Sequence, residues 1–123
     1  MIQRIDNLPG NMVGFKATGE ITETDFTTVV MPQVKALIEK TDKLNYMLEL
    51  DTSITNFTMG AWFKDAIMGI KHLSKWNRAA IITDVKGIRV FTDIFSVLMP
   101  GEFKGYEHKD RQQAIDWVSE KSN

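Results

Sequence analysis

Apolar and polar residues alternate at the start of the chain, in the pattern of β-strands. Residues 1–8 and 11–21 predict two short strands, with Val13, Phe15 and Ala17 on one face of the second. The segment Pro9-Gly10-Asn11 between them carries turn-forming residues. The chain therefore opens with a predicted β-hairpin.

From Thr22 the apolar spacing changes to three and four residues, the period of a helix. Thr22 and Asp25 form a capping-box pattern with aspartate in place of the longer acidic residue. Pro32 lies inside the periodic run and lacks the backbone N–H that a helix interior needs. The pattern predicts a first helix that is kinked or split into two pieces.

The rest of the chain alternates between strand and helix patterns. The uniformly apolar run at 79–83 suits a central strand covered on both faces. The predicted elements are strands at 44–50, 79–83 and 102–108 and helices at 59–73, 87–99 and 110–121, with Pro100 and Gly101 ending the third helix. This order predicts an α/β fold with a mixed sheet of four to five strands, flanked by about four helices.

Composition limits the possible functions. With 123 residues, 43% of them hydrophobic and 25% charged, residues 1–123 are predicted to form one domain. A net charge of -1 does not favour nucleic acid as a partner, and the lack of cysteine excludes thiol chemistry. No leader peptide or transmembrane segment is evident, so we predict a soluble cytoplasmic protein.

Several segments in order resemble the SpoIIAA-like family, which is related to the STAS fold of anti-sigma-factor antagonists. They are GEITETDF, Pro32, LEL near Leu48, GAWFKDAIMGIKHL, RAAIITD and LMPGEFK. The resemblance covers nearly the whole chain, from about Gly14 to Trp117. The resemblance implies a mixed sheet flanked by helices, a fold shared broadly with CRAL-TRIO lipid-carrier domains. It implies no established activity, because fold alone does not carry function.

Thr58 is the candidate phosphoacceptor. In anti-sigma antagonists a partner kinase phosphorylates a serine at the start of the second helix, within an Asp-Ser-Ser-Gly-like motif. This chain has NFTMGAW at that place, so Thr58 is the nearest hydroxyl. A phosphate there would meet free backbone N–H groups, although a threonine before a helix is more often an N-cap.

Asp84 follows the buried strand and precedes the third helix. A carboxylate in that position either caps the helix or takes part in chemistry with a second group. Asp51 ends the neighbouring strand, so the two carboxylates could hold a divalent cation, an alternative that we rank below the cap. The two histidines are not spaced as zinc ligands, and we predict no cofactor and no metal.

The second and third helices carry more apolar surface than one buried stripe requires. The excess could be covered by other helices of the chain, by a second copy or partner, or by an apolar ligand. The candidate interface or ligand residues are Met59, Trp62, Phe63, Ile88, Phe91, Phe95 and Met99. We expect a non-enzymatic regulatory or protein-interaction module that forms a homodimer, and the alternative is a carrier or sensor of a small apolar or lipid-like ligand bound between these helices.

Overall fold

A computed structural model describes residues 1–52, 76–98 and 101–120, with the helical backbone alone over 94–98. The strands are β1 (Ile2–Arg4), β2 (Val13–Thr18), β3 (Leu44–Asp51), β4 (Trp76–Ile82) and β5 (Glu102–Tyr106). The α-helices are α1 (Glu23–Asp25), α2 (Met31–Thr41), α3 (Val85–Leu98) and α4 (Arg111–Ser119). A π-helix (Phe26–Val30) joins α1 to α2, and a 3-10 turn (His108–Asp110) precedes α4.

The five strands form one sheet in the order β1-β2-β3-β4-β5. β1 pairs antiparallel with β2, while β2, β3, β4 and β5 run parallel to one another. This arrangement confirms the N-terminal hairpin and the mixed α/β sheet.

The hairpin connection is longer than the alternation predicted. β1 ends at Arg4, although the Ile5 N–H still donates to the Gly14 carbonyl of β2 at 2.9 Å. The side chains of Ile5 and Leu8 pack against the core beneath α4. A tight turn closes the connection where the Met12 N–H donates to the Pro9 carbonyl.

The first helical segment is split, as its proline predicts. The Thr22 hydroxyl accepts from the Asp25 N–H while the Asp25 carboxylate accepts from the Thr22 N–H, which confirms the capping box. Pro32 has no N–H to continue the α-helical ladder, and the preceding residues form the π-helix, in which the Met31 N–H reaches the Phe26 carbonyl.

The sheet is covered on both faces. On one face α2 and α3 pack over a large apolar cluster that includes Phe15, Leu48, Ile81 and Phe91. On the other face α4 covers a smaller cluster, whose buried members are Met12, Met47, Ala80, Ile82, Ala114, Ile115 and Val118. Because β4 contributes side chains to both clusters, it is the doubly covered central strand that its apolar run predicts.

Arg78 fastens α4 to the sheet. Its guanidinium donates to the Trp117 carbonyl at 2.7 Å and forms ion pairs with Glu102 and Glu120, each at 3.0 Å. The same guanidinium lies 5.0 Å from the centre of the Trp117 ring, and Lys104 approaches that ring at 4.9 Å. The indole therefore makes two cation–π contacts at the end of the helix.

Three asparagines join β4, β3, the hairpin connection and α4. The Asn77 amide donates to the Asn45 side-chain oxygen, the Asn45 amide donates to the Asn11 carbonyl, and the Asn11 amide donates to the Ser119 carbonyl, each at 2.9 Å. Asn45 is 4% exposed, so water is a poor substitute for these partners.

Replacing Asn45 by alanine is expected to lower the free energy of unfolding by about 2 kcal/mol. The substitution removes two hydrogen bonds and leaves the Asn11 carbonyl and the Asn77 amide without these partners. Urea unfolding measures the change. The control is Gln112→Ala, which removes an exposed hydrogen bond to Asp116 on α4 and should change stability by less than about 0.5 kcal/mol. Equal losses in the two variants would contradict a special role for the buried amides.

Candidate functional site

The carboxyl ends of the four parallel strands β2, β3, β4 and β5 lie at one edge of the sheet, which we call the carboxyl edge. In open α/β sheets, ligands bind in crevices outside this edge. An acidic residue stands at or just after the end of each of these strands, namely Glu20, Asp51, Asp84 and Glu107. The carboxyl edge is therefore the position in this fold where a ligand site is most expected.

Asp84 caps α3. Its Oδ1 atom accepts from the Gly87 N–H at 2.7 Å, and its carbonyl accepts from the Ile88 N–H at 3.0 Å. The cap interpretation is therefore confirmed, and α3 begins at Val85, two residues before the sequence pattern suggested. Thr83 is buried and packs closely against the first turn of α3. A Cβ at Gly87 would lie 2.4 Å from the Thr83 hydroxyl, so the close packing depends on glycine at this position.

Asp51 lies at the end of β3 and is paired with Lys16 of β2. The Lys16 Nζ to Asp51 Oδ2 distance is 3.8 Å, and the Asp51 side chain is 60% exposed. An ion pair this exposed contributes little to stability. Within the described ranges no three histidine or acidic side chains are grouped as metal ligands, and two carboxylates alone fall short of the oxygen set that calcium takes.

The first turn of α3 adds an apolar side chain to the carboxyl edge. Val85 is 53% exposed, and within the described part of the chain only Met1 is another large apolar residue with comparable exposure. The charged residues Lys86, Arg89 and Asp93 are exposed on the same helix. Val85 is therefore a single exposed apolar side chain on a helix that carries exposed charges of both signs.

Among the described residues, three groups have shifted pKa values, and all three have packing roles. Burial raises the pKa of the Tyr46 hydroxyl, which lies among Phe15 and Trp76. Hydrogen bonding to Glu120 and Glu102 raises the pKa of Arg78 against the opposing effect of burial. Burial also raises the pKa of Tyr106, and the charge of Arg78 partly offsets it. These shifts therefore mark the core and the α4 attachment.

Comparison with protein families decides the relationship that the sequence suggested. A family model described as SpoIIAA-like matches residues 12–119. The chain belongs to the SpoIIAA-like family.

A solved structure supports the same fold for this SpoIIAA-like chain. It is the crystal structure of an uncharacterised protein of the DUF3478 family with a SpoIIAA-like fold, from Shewanella loihica PV-4. The two chains are 25% identical with a TM-score of 0.61, and the match covers 95% of this chain and 93% of the other. No curated protein matches the chain.

The candidate interface residues of this SpoIIAA-like protein fall into two groups, those that the structure places in or near the core and those that lie outside the described residues. Phe91 is 1% exposed and belongs to the core between α3 and the sheet. Ile88 is half-buried and lies against Gly105 of β5, where a Cβ would come within 2.5 Å of its side chain. Outside the described residues lie Met59, Trp62, Phe63, Met99, the side chain of Phe95 and the candidate phosphoacceptor Thr58.

Val85 is the surface residue that the sequence analysis missed. It was left out because the helical pattern was read as starting at Gly87. The signal was nonetheless present, since a residue that follows an N-cap occupies the first turn, where few side chains are covered by the helix itself.

No described helix of this SpoIIAA-like chain is long and apolar enough to cross a bilayer.

Proposed function

We propose that this SpoIIAA-like chain is a non-enzymatic regulatory module that works by binding protein, and that it forms a homodimer through the first turn of α3. The observation that carries the proposal is the exposure of Val85 at the carboxyl edge. Apolar side chains at such a position lose contact with water when a second surface covers them, which favours association.

The charges around Val85 suit a second copy of the same chain. In a two-fold symmetric interface the same patch meets itself, so it must carry groups that complement each other. Lys86 and Arg89 supply positive charge on α3, while Asp84 and Asp93 supply negative charge nearby in sequence. With a net charge of -1, long-range repulsion between two copies is small.

The two strand-end carboxylates support a non-enzymatic role. Asp84 already accepts the Gly87 N–H, and Asp51 already pairs with Lys16. General acid-base or nucleophilic chemistry requires a carboxylate placed against a second reactive group. Asp84 instead caps α3, and Asp51 forms an exposed ion pair with Lys16.

Val85→Glu tests the dimer. Glutamate in the first turn of a helix interacts favourably with the helix dipole, so α3 itself should be retained. Sedimentation velocity over a range of micromolar concentrations should show dimerisation weakened at least about tenfold, because the new charge would be buried in the interface.

The matched control is Gln113→Glu, which introduces the same charge on the exposed side of α4, beyond the opposite face of the sheet. It should leave the oligomeric state unchanged. A wild-type chain that sediments as a monomer at every concentration would refute the homodimer. A dimer equally stable in wild type and Val85→Glu would place the interface elsewhere.

A further inference from the structure

A cleft of about 200 Å³ lies between the β1–β2 connection and α2. It is formed where β2 begins and where α2 approaches the start of β3, so it lies at the end of the sheet opposite to the carboxyl edge. It is distinct from the proposed dimer surface around Val85. Its described lining also contains no residue of the predicted helix at 87–99, which the sequence suggested as one wall of an apolar ligand site.

The cleft has an apolar floor. Val13 and Leu37 are buried at 7% and 5% exposure, and the half-buried side chains of Ile5 and Leu8 extend the apolar lining. An apolar cavity of about 150 Å³ in another protein holds a benzene molecule, so this volume has room for a single small ring or a short alkyl chain. Contact with these side chains would favour the apolar part of a ligand.

The polar lining is cationic. Arg4 and Lys40 line the cleft, and its described lining contains no carboxylate, although acidic residues outnumber basic ones in the whole chain. Within residues 1–52, 76–98 and 101–120 the Arg4 guanidinium makes no hydrogen bond or ion pair. Among the described residues, the Lys40 ammonium donates only to the Gly10 carbonyl, at a long 3.4 Å.

Gln33 adds a further polar group that can orient a ligand. Its carboxamide lines the cleft, and in the described part of the chain it has no side-chain hydrogen bond. A guanidinium with no partner binds a carboxylate with two parallel hydrogen bonds, a geometry that an ammonium cannot reproduce. The lining therefore combines two exposed cations with an apolar floor.

We propose that this cleft binds a small organic carboxylate, with the carboxylate on Arg4 and Lys40 and the apolar body against Val13 and Leu37. The ligand replaces the Gly10 carbonyl as the partner of Lys40. A molecule of benzoate size fits the volume, and a gain of about -0.5 kcal/mol for each of its roughly nine non-hydrogen atoms gives an expected dissociation constant of about 1 mM.

Titration with sodium benzoate at constant ionic strength, followed by amide NMR spectra, tests the site. Saturable shifts are expected in the β1–β2 connection and along the cleft side of α2. Arg4→Gln should weaken binding about tenfold. Lys35→Gln removes an exposed cation of α2 that does not line the cleft, and it should leave binding unchanged.

Benzamide provides the matched ligand control, because it has the same ring without the charge. It should bind at least about fivefold more weakly than benzoate. The proposal is overturned if benzoate produces no saturable shifts at tens of millimolar, if the shifts lie elsewhere, or if benzamide binds equally well. It is also overturned if Arg4→Gln keeps its native spectrum and its wild-type affinity, and Lys40→Gln provides the same test if Arg4→Gln fails to fold.

Discussion

Replacing Phe91 by alanine is expected to lower the free energy of unfolding by about 3 to 5 kcal/mol, the range found when a buried aromatic side chain is removed from a core. Phe91 is 1% exposed and belongs to the apolar cluster between α3 and the sheet. Its removal therefore loses buried apolar area and leaves a cavity that the packed neighbours fill only in part.

Urea unfolding measures the loss, and Phe91→Leu is the matched control. Leucine keeps most of the apolar volume, so its cost should stay near about 1 kcal/mol. The two variants also test the earlier interpretation of Phe91 as an interface residue. If Phe91→Ala weakened self-association and left monomer stability within about 0.5 kcal/mol of wild type, its place in the core would be contradicted.

Gly101→Ala is expected to lower stability by about 3 kcal/mol for two independent reasons. Gly101 has a φ of 92°, in a region that residues with a Cβ rarely adopt. A Cβ at this position would also lie 2.8 Å from the Asn77 carbonyl oxygen and 2.9 Å from that of Trp76. These are backbone atoms of β4, so they cannot move aside as a side chain would.

Gly19→Ala separates the two causes. Gly19 also has a positive φ, of 59°, but a Cβ there would have no atom within 4 Å. This variant should lose only about 1 kcal/mol, the conformational part of the cost. Thermal or urea unfolding compares the two, and equal losses would show that the approach to β4 contributes nothing.

The predicted effects assign different roles to the two sides of α3. Phe91 faces inward and holds the helix on the sheet, while Val85 faces solvent at the carboxyl edge. Changes at Phe91 should therefore appear as loss of stability, and changes at Val85 as loss of association. Of the apolar residues that marked this helix in the sequence, Phe91 is explained by the core.

The sequence was sufficient for the order of the described strands and α-helices, although it did not indicate the π-helix or the 3-10 turn. Alternation at Val13, Phe15 and Ala17 and the uniform run at 79–83 gave strands, because side chains of a strand project to opposite faces. The capping pattern at Thr22, the break at Pro32 and the cap at Asp84 are local effects, since they depend on hydrogen bonds within a few residues. The family resemblance was also confirmed, because it rested on short motifs and on their order along the chain, and both are properties of the sequence.

Tertiary structure alone decided which groups from distant parts of the chain meet. Nothing local to Asn45 indicates that it joins Asn11 and Asn77, and nothing local to Arg4 places it beside Lys40 at one cleft. The apolar pattern likewise did not reveal that Phe91 is covered, or that the helix begins at Val85 with an exposed side chain. Periodicity specifies the face of an element on which a residue lies, whereas its neighbours depend on how the elements pack, and that is set by the sheet order and the shape of the whole core.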